Sequence, residues 1–152
     1  MSLKQRLATE MTDALRRGEK VRLSTLRLLA AAVKNREVEL RRELTDDEFV
    51  EVVGRQVKQR RDSIEAYAGA GRDDLADRER EEQAVLQTYL PEPLSEAEVD
   101  ALVDEAVAAT EASGPGDVGK VMGVLMARAK GRVDGKAVQA KVRARLSGGT
   151  SL

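Results

Sequence analysis

The chain has 152 residues with no cysteine and no histidine, 26 Lys+Arg against 27 Asp+Glu, two tyrosines, one phenylalanine and no tryptophan. That excludes disulfides, thiolate metal centres and His-based acid–base or nucleophilic catalysis, and it disfavours single-strand readers that stack bases on aromatic platforms. No apolar run approaches the ~20 residues needed to span a bilayer. Met1-Ser-Leu-Lys-Gln-Arg6 leads into a helix without a signal-peptide core, so the expected location is cytoplasmic and off the membrane. A carboxylate-only metal site stays open in principle, but no metal or cofactor is assigned.

The net charge of -1 hides a segregation. Residues 1–42 carry 11 Lys+Arg against 5 Asp+Glu (+6), residues 43–116 carry 7 against 20 (-13), and residues 117–152 carry 8 against 2 (+6). Such asymmetry points to an anionic partner for the basic parts.

In chain order, Ser2 and Gln5 form a capping box, and Leu3, Leu7, Met11 and Leu15 recur every four residues until Gly18 closes the first helix. A second helix is predicted from about Glu19 to Arg42. Leu23, Leu26, Ala30 and Val33 form its buried face, and Arg22, Arg27, Lys34, Arg36, Arg41 and Arg42 solvate the rest or pair with acidic neighbours. Thr45 and Glu48 open a third helix that turns Phe49, Val52, Val53, Val57, Ile64 and Tyr67 inward and ends at Gly69-Ala-Gly71. Asp73 is expected to cap a fourth, whose apolar side is Leu75, Val85, Leu86, Tyr89 and Leu90.

Pro91-Glu-Pro93 is the clearest boundary, because proline disfavours helix in the residue before it. The expected architecture is therefore all-α, with a four-helix subdomain over residues 1–92 and a three-helix subdomain over 93–152. Ser95 and Glu98 cap the fifth helix, which buries Val99, Leu102, Val103, Ala106 and Val107.

A helical hairpin over 117–146 closes the chain. Asp117 is expected to cap its first helix, Gly131 to stop it and Asp134 to cap the second. Val121, Met122, Leu125, Met126 and Ala129 face inward from one helix, and Val138, Val142 and Leu146 from the other. Gly114-Pro-Gly-Asp-Val-Gly-Lys120 imitates a phosphate loop, but Val121 stands where Ser or Thr must hold magnesium and no buried strand precedes it, which rules out nucleotide hydrolysis there. Gly119, Gly123, Ala127 and Gly131 recur every fourth position as a strip almost without side chains. Two readings stay open for it: close packing of another helix, or close approach of a ligand's ribose-phosphate chain at Gly119 and Gly123.

Several segments resemble the YqeY-like proteins, in order along nearly the whole chain. They are Leu23-Ser-Thr-Leu-Arg-Leu-Leu29 with Ala32-Val-Lys-Asn35, then Arg55-Gln-Val-Lys-Gln-Arg-Arg-Asp-Ser-Ile-Glu-Ala-Tyr67 and Tyr89-Leu-Pro91. Asp117-Val-Gly-Lys-Val-Met-Gly123 and Lys130-Gly-Arg-Val-Asp-Gly-Lys136 complete the match. That family shares its domain with the C-terminal tail of the B subunit of tRNA-dependent amidotransferases. The resemblance implies a link to the outer corner of tRNA and to carbon–nitrogen ligation with glutamine as amide donor. Only the tail-like part is matched, without the subunit's catalytic portion, so no catalytic residue is assigned. The expected contacts are Lys120, Lys130, Arg132, Lys136, Lys141 and Arg143, with tRNA or another structured RNA as partner. Amidotransferase subunits or another protein, bound by a helical adaptor, are the alternative partners.

Overall fold

The computed structural model describes residues 1–129 and 131–148. Among these residues it is all-α, with seven α-helices, one short 3-10 turn and no strand. The helices are α1 (Leu3–Arg17), α2 (Lys20–Leu40), α3 (Asp46–Gly69), α4 (Asp73–Gln87), α5 (Glu96–Thr110), α6 (Val118–Ala129) and α7 (Gly135–Leu146). They pack as two units, Met1–Leu90 and Pro91–Leu152, each with its own core.

Most helix starts follow from local side-chain chemistry. Ser2, Thr45 and Ser95 each accept from the amide three residues on, while Gln5, Glu48 and Glu98 reach back to the cap amide. Gly18 and Gly131 take the left-handed conformation at φ 68° and 79°, which satisfies the chain reversal after α1 and α6. Two expectations fail here. Arg72, not Asp73, is the N-cap of α4 and makes no side-chain cap bond, so Asp73 and Asp74 sit in the first turn and act on the helix dipole. Asp117 closes the 3-10 turn Pro115–Asp117, and its carboxylate reaches back to the Ser113 amide at 2.9 Å instead of forward into α6.

The first unit buries Leu7 and Ala14 of α1, Leu26, Leu29 and Val33 of α2, and Phe49, Val52, Val53 and Val57 of α3. Leu86 of α4 and Tyr89 complete this core. Leu15 is 61% exposed and Ala14 is buried in its place. A four-residue repeat overshoots the helical turn by about 40° per step, so its fourth member has rotated off the core line. Tyr89, just beyond α4, is fastened to α1: its hydroxyl donates to Glu10 at 2.9 Å, and the Arg6 guanidinium lies 4.2 Å over its ring. Ile64 and Tyr67, expected inside, are only half-buried towards the end of α3.

One buried carboxylate ties three segments of this unit. Glu37 near the end of α2 accepts from the Leu44 amide at 3.0 Å and from Lys4 of α1 at 3.0 Å. Those two donors hold its carboxyl below the ordinary value of 4.5, the amide contributing most. Between α3 and α4, Arg60 Nε lies 3.0 Å from Glu82 and 3.5 Å from Glu79 but is not aligned to donate to either.

In the second unit Val99, Val103 and Ala106 of α5 meet Val121, Leu125 and Ala129 of α6, and Val138, Val142 and Leu146 of α7. The start of α5 is held to the α6–α7 turn, where the Leu94 amide donates to the Arg132 carbonyl at 2.9 Å.

Two outcomes test these cores. Glu37→Gln should destabilise the protein by about 1–3 kcal/mol at neutral pH, since it loses a hydrogen-bonded charge. A depressed folded pKa gives stability that is present above about 4.5 and lost as pH falls through the folded value, so the deficit should close in acid; melting curves from pH 2 to 7 check it. Leu125→Ala should cost about 2–5 kcal/mol in denaturant unfolding, against little change for Leu28→Ala, whose side chain is 50% exposed.

Candidate nucleic-acid interface

The closing hairpin consists of α6, a turn through Gly131, and α7, which begins where the Asp134 carboxylate accepts from the Lys136 amide at 3.1 Å. Val121, Leu125 and Ala129 point α6 inward, so Gly119, Gly123 and Ala127 lie on its opposite, exposed side. A Cβ built at Gly119 or Gly123 would meet nothing within 4 Å. Of the two readings of this strip, packing against another helix is therefore not found among the described residues, and the glycines face open space.

The six expected cations separate into distinct groups. Lys141 is half-buried, its ammonium 2.7 Å from Asp100 and 3.2 Å from Glu96 of α5, and these carboxylates raise its pKa. Arg132 donates through Nε to the Glu92 carbonyl at 2.7 Å, which fastens the α6–α7 turn to the segment before α5. Lys120 is exposed and 3.5 Å from Asp117. Lys136 and Arg143 are exposed on α7, opposite Val138 and Val142, and Arg143 forms no ion pair among the described residues. Lys130 lies outside the described residues.

Two cations that the sequence reading left aside follow the same pattern. Arg145 donates to Asp104 at 3.2 Å, and Arg128 lies 3.7 Å from Glu105. Asp100 and Asp104 of α5 thus face Lys141 and Arg145 of α7 as a two-rung ladder. Residue numbers rise together on both rails, so α5 and α7 run parallel. The signal was present in the sequence as two charge rows of opposite sign with the same four-residue spacing. Spacing alone does not say that the two rows meet.

The segment that imitates a phosphate loop lacks the surroundings of one. Helix α5, not a strand, precedes the Gly114–Lys120 segment, and Asp117 stands against Lys120 where a phosphate would have to sit. Among the described residues no group of three or more ligating side chains is set to hold a metal ion, and no helix is long and apolar enough to cross a membrane.

The chain resembles fungal proteins named "altered inheritance of mitochondria protein 41, mitochondrial". It is 33% identical to that of Pyrenophora tritici-repentis over 141 residues, which covers 91% of this chain and 77% of the relative. It is 30% identical to that of Lachancea thermotolerans over 112 residues (72% and 60%), and 27% identical to that of Kluyveromyces lactis over 143 residues (91% and 72%). These names overturn the expectation of a cytoplasmic protein. That expectation rested on the lack of long apolar runs and of a signal-peptide core, which bear on membrane insertion and secretion and not on delivery to an organelle. The model of the Yqey-like proteins matches residues 4–146, so this chain belongs to the YqeY-like protein family.

Proposed function

We propose that the chain is a two-subdomain helical module that binds structured RNA of the tRNA type through the outward cations of its closing hairpin. The observation that carries this is the outer side of α6 and α7. Gly119 and Gly123 leave open space over the helix backbone, while Lys120, Lys136 and Arg143 are exposed on the same hairpin. A ribose-phosphate chain needs close approach and cations, with no apolar anchor, and its phosphates supply the affinity. Lys141 and Arg132 serve the fold in this reading, because their charges are already directed at Asp100, Glu96 and the Glu92 carbonyl. The link to glutamine-dependent amide transfer on tRNA is a family resemblance, with this chain as a binding accessory and the chemistry on other chains. A helical adaptor for a protein partner is the competing reading, favoured by the same open strip if a partner helix lies on it.

Titration of the protein with a folded tRNA transcript at several salt concentrations tests the proposal. Lys120→Ala with Arg143→Ala should lower the slope of log affinity against log salt by about 2, one per phosphate contact removed, whereas affinity and slope unchanged by the pair would remove the hairpin as the contact surface. Gly123→Ala separates the two uses of the strip. A methyl group there meets nothing, so the helix should gain up to about 1 kcal/mol in thermal unfolding while RNA affinity falls. Greater stability with undiminished RNA binding, together with a pull-down partner that survives RNase, would favour the adaptor.

A further inference from the structure

The cations of α2 fall into two sets. Arg22 is bonded to Asp13 at 3.0 Å, Arg36 to Glu39 at 2.8 Å, and Arg42, just past the helix, to Glu48 at 2.7 Å. Lys20, Arg27, Lys34 and Arg41 are exposed and form no ion pair among the described residues. These four recur every seven residues. A heptad step drifts only about 20° around an α-helix, so Lys20, Arg27 and Lys34 share one edge, with Arg41 at the C-cap continuing it. The rise of ~1.5 Å per residue sets neighbouring cations ~10 Å apart and the whole row over ~31 Å. Ser24, Ala31 and Val38 stand between them on the same edge, and Ser24 and Ala31 are too short to hold a partner's backbone away. The helix's own carboxylates are directed elsewhere: Glu37 is buried against Lys4 and the Leu44 amide, Glu19 lies 3.5 Å from Arg22, and Glu39 is tied to Arg36.

We infer that the outer edge of α2 is a second RNA-binding surface, which takes the phosphate backbone of a folded RNA along its length. The inference rests on the RNA reading above and adds a surface on the other unit. Charge complementarity selects this occupant. Four cations without an ion pair along a rigid rod fit a partner that carries regular negative charge over tens of ångströms, and a nucleic-acid backbone has it. A protein partner draws its affinity from a cluster of buried aromatic or aliphatic anchors, and this edge offers one exposed aliphatic side chain, Val38, between Lys34 and Arg41. Insertion into a lipid surface needs a continuous apolar side, and the exposed Leu28 and Val38 lie ten residues apart and about 80° around the helix from each other.

Fluorescence titration of a folded tRNA transcript with the full chain tests the inference, with vesicles of anionic phospholipid as a parallel probe. Lys20→Ala, Arg27→Ala and Lys34→Ala together should leave the melting temperature near that of the parent, because alanine is the best helix former and the sites are exposed. The salt slope of RNA binding should fall by about 3, and Arg27→Glu with Lys34→Glu should weaken binding further. The hairpin pair Lys120→Ala and Arg143→Ala is measured beside them. Loss in the α2 variants alone supports this inference and overturns the hairpin contact; loss in both sets supports both surfaces. Loss in the hairpin pair alone, or a parent protein that binds vesicles but not the transcript, overturns it.

Discussion

Asp100 and Asp104 lie against Lys141 and Arg145, and that contact decides what the basic end of the chain is able to do. Exposed pairs of this kind contribute only about 0–1 kcal/mol each. Nine buried side chains among the described residues of the second unit, three from each helix, hold it together instead. The ladder matters for another reason. A phosphate arriving at Lys141 would have to share it with two carboxylates 2.7 and 3.2 Å away, and displacing the ammonium would leave those anions facing the newcomer. The cost of RNA binding there is repulsion from α5, not the energy of the broken pair. Cations without such a neighbour carry the positive field outward.

The same rule sorts the first unit. Its opening 42 residues are as basic as the last 36, by charge count alone. Arg22, Arg36, Arg42 and Lys4 are absorbed by Asp13, Glu39, Glu48 and Glu37, and the Arg42 fork together with the Thr45 amide holds Glu48 down at about 2. Arg6 and Arg17 are taken up by Glu10 and Asp13, and Arg16, Lys20, Arg27, Lys34 and Arg41 remain without an ion pair among the described residues. Regional charge sums therefore overstate the basic surface at both ends, and local pairing shows which side chains are left over.

Features governed by near neighbours were legible in the sequence. Ser2, Thr45, Ser95 and Asp134 cap helices because the groups they satisfy lie two or three residues away, and Gly18 and Gly131 reverse the chain by their own backbone freedom. Core positions were legible where the repeat averaged 3.6 residues, as at Val99, Val103 and Ala106, whereas on α2 Leu29 is buried and the expected Leu23 and Ala30 are only half-buried. The expectation also failed where a strict four was extended to Leu15. The partners of cations that pair across the fold were not legible, since Lys141 meets Asp100 across 41 positions and Lys4 meets Glu37 across 33. Of the six nominated cations, Arg132 and Lys141 were decided by such contacts.

The glycine strip joins these lines of reasoning. Glycine inside a helix costs roughly 1 kcal/mol relative to alanine, and α6 accepts this at Gly119 and Gly123 with no described side chain or backbone packed above either. The rest of α6 obeys local preference, with Val121, Leu125 and Ala129 buried on a regular face. The departure is confined to the solvent side, on a hairpin where Lys141 is held by two carboxylates of α5 while Lys120, Lys136 and Arg143 are exposed. Under the function proposed above, a helix backbone kept bare beside the exposed Lys120, Lys136 and Arg143 leaves room for close approach of an RNA chain.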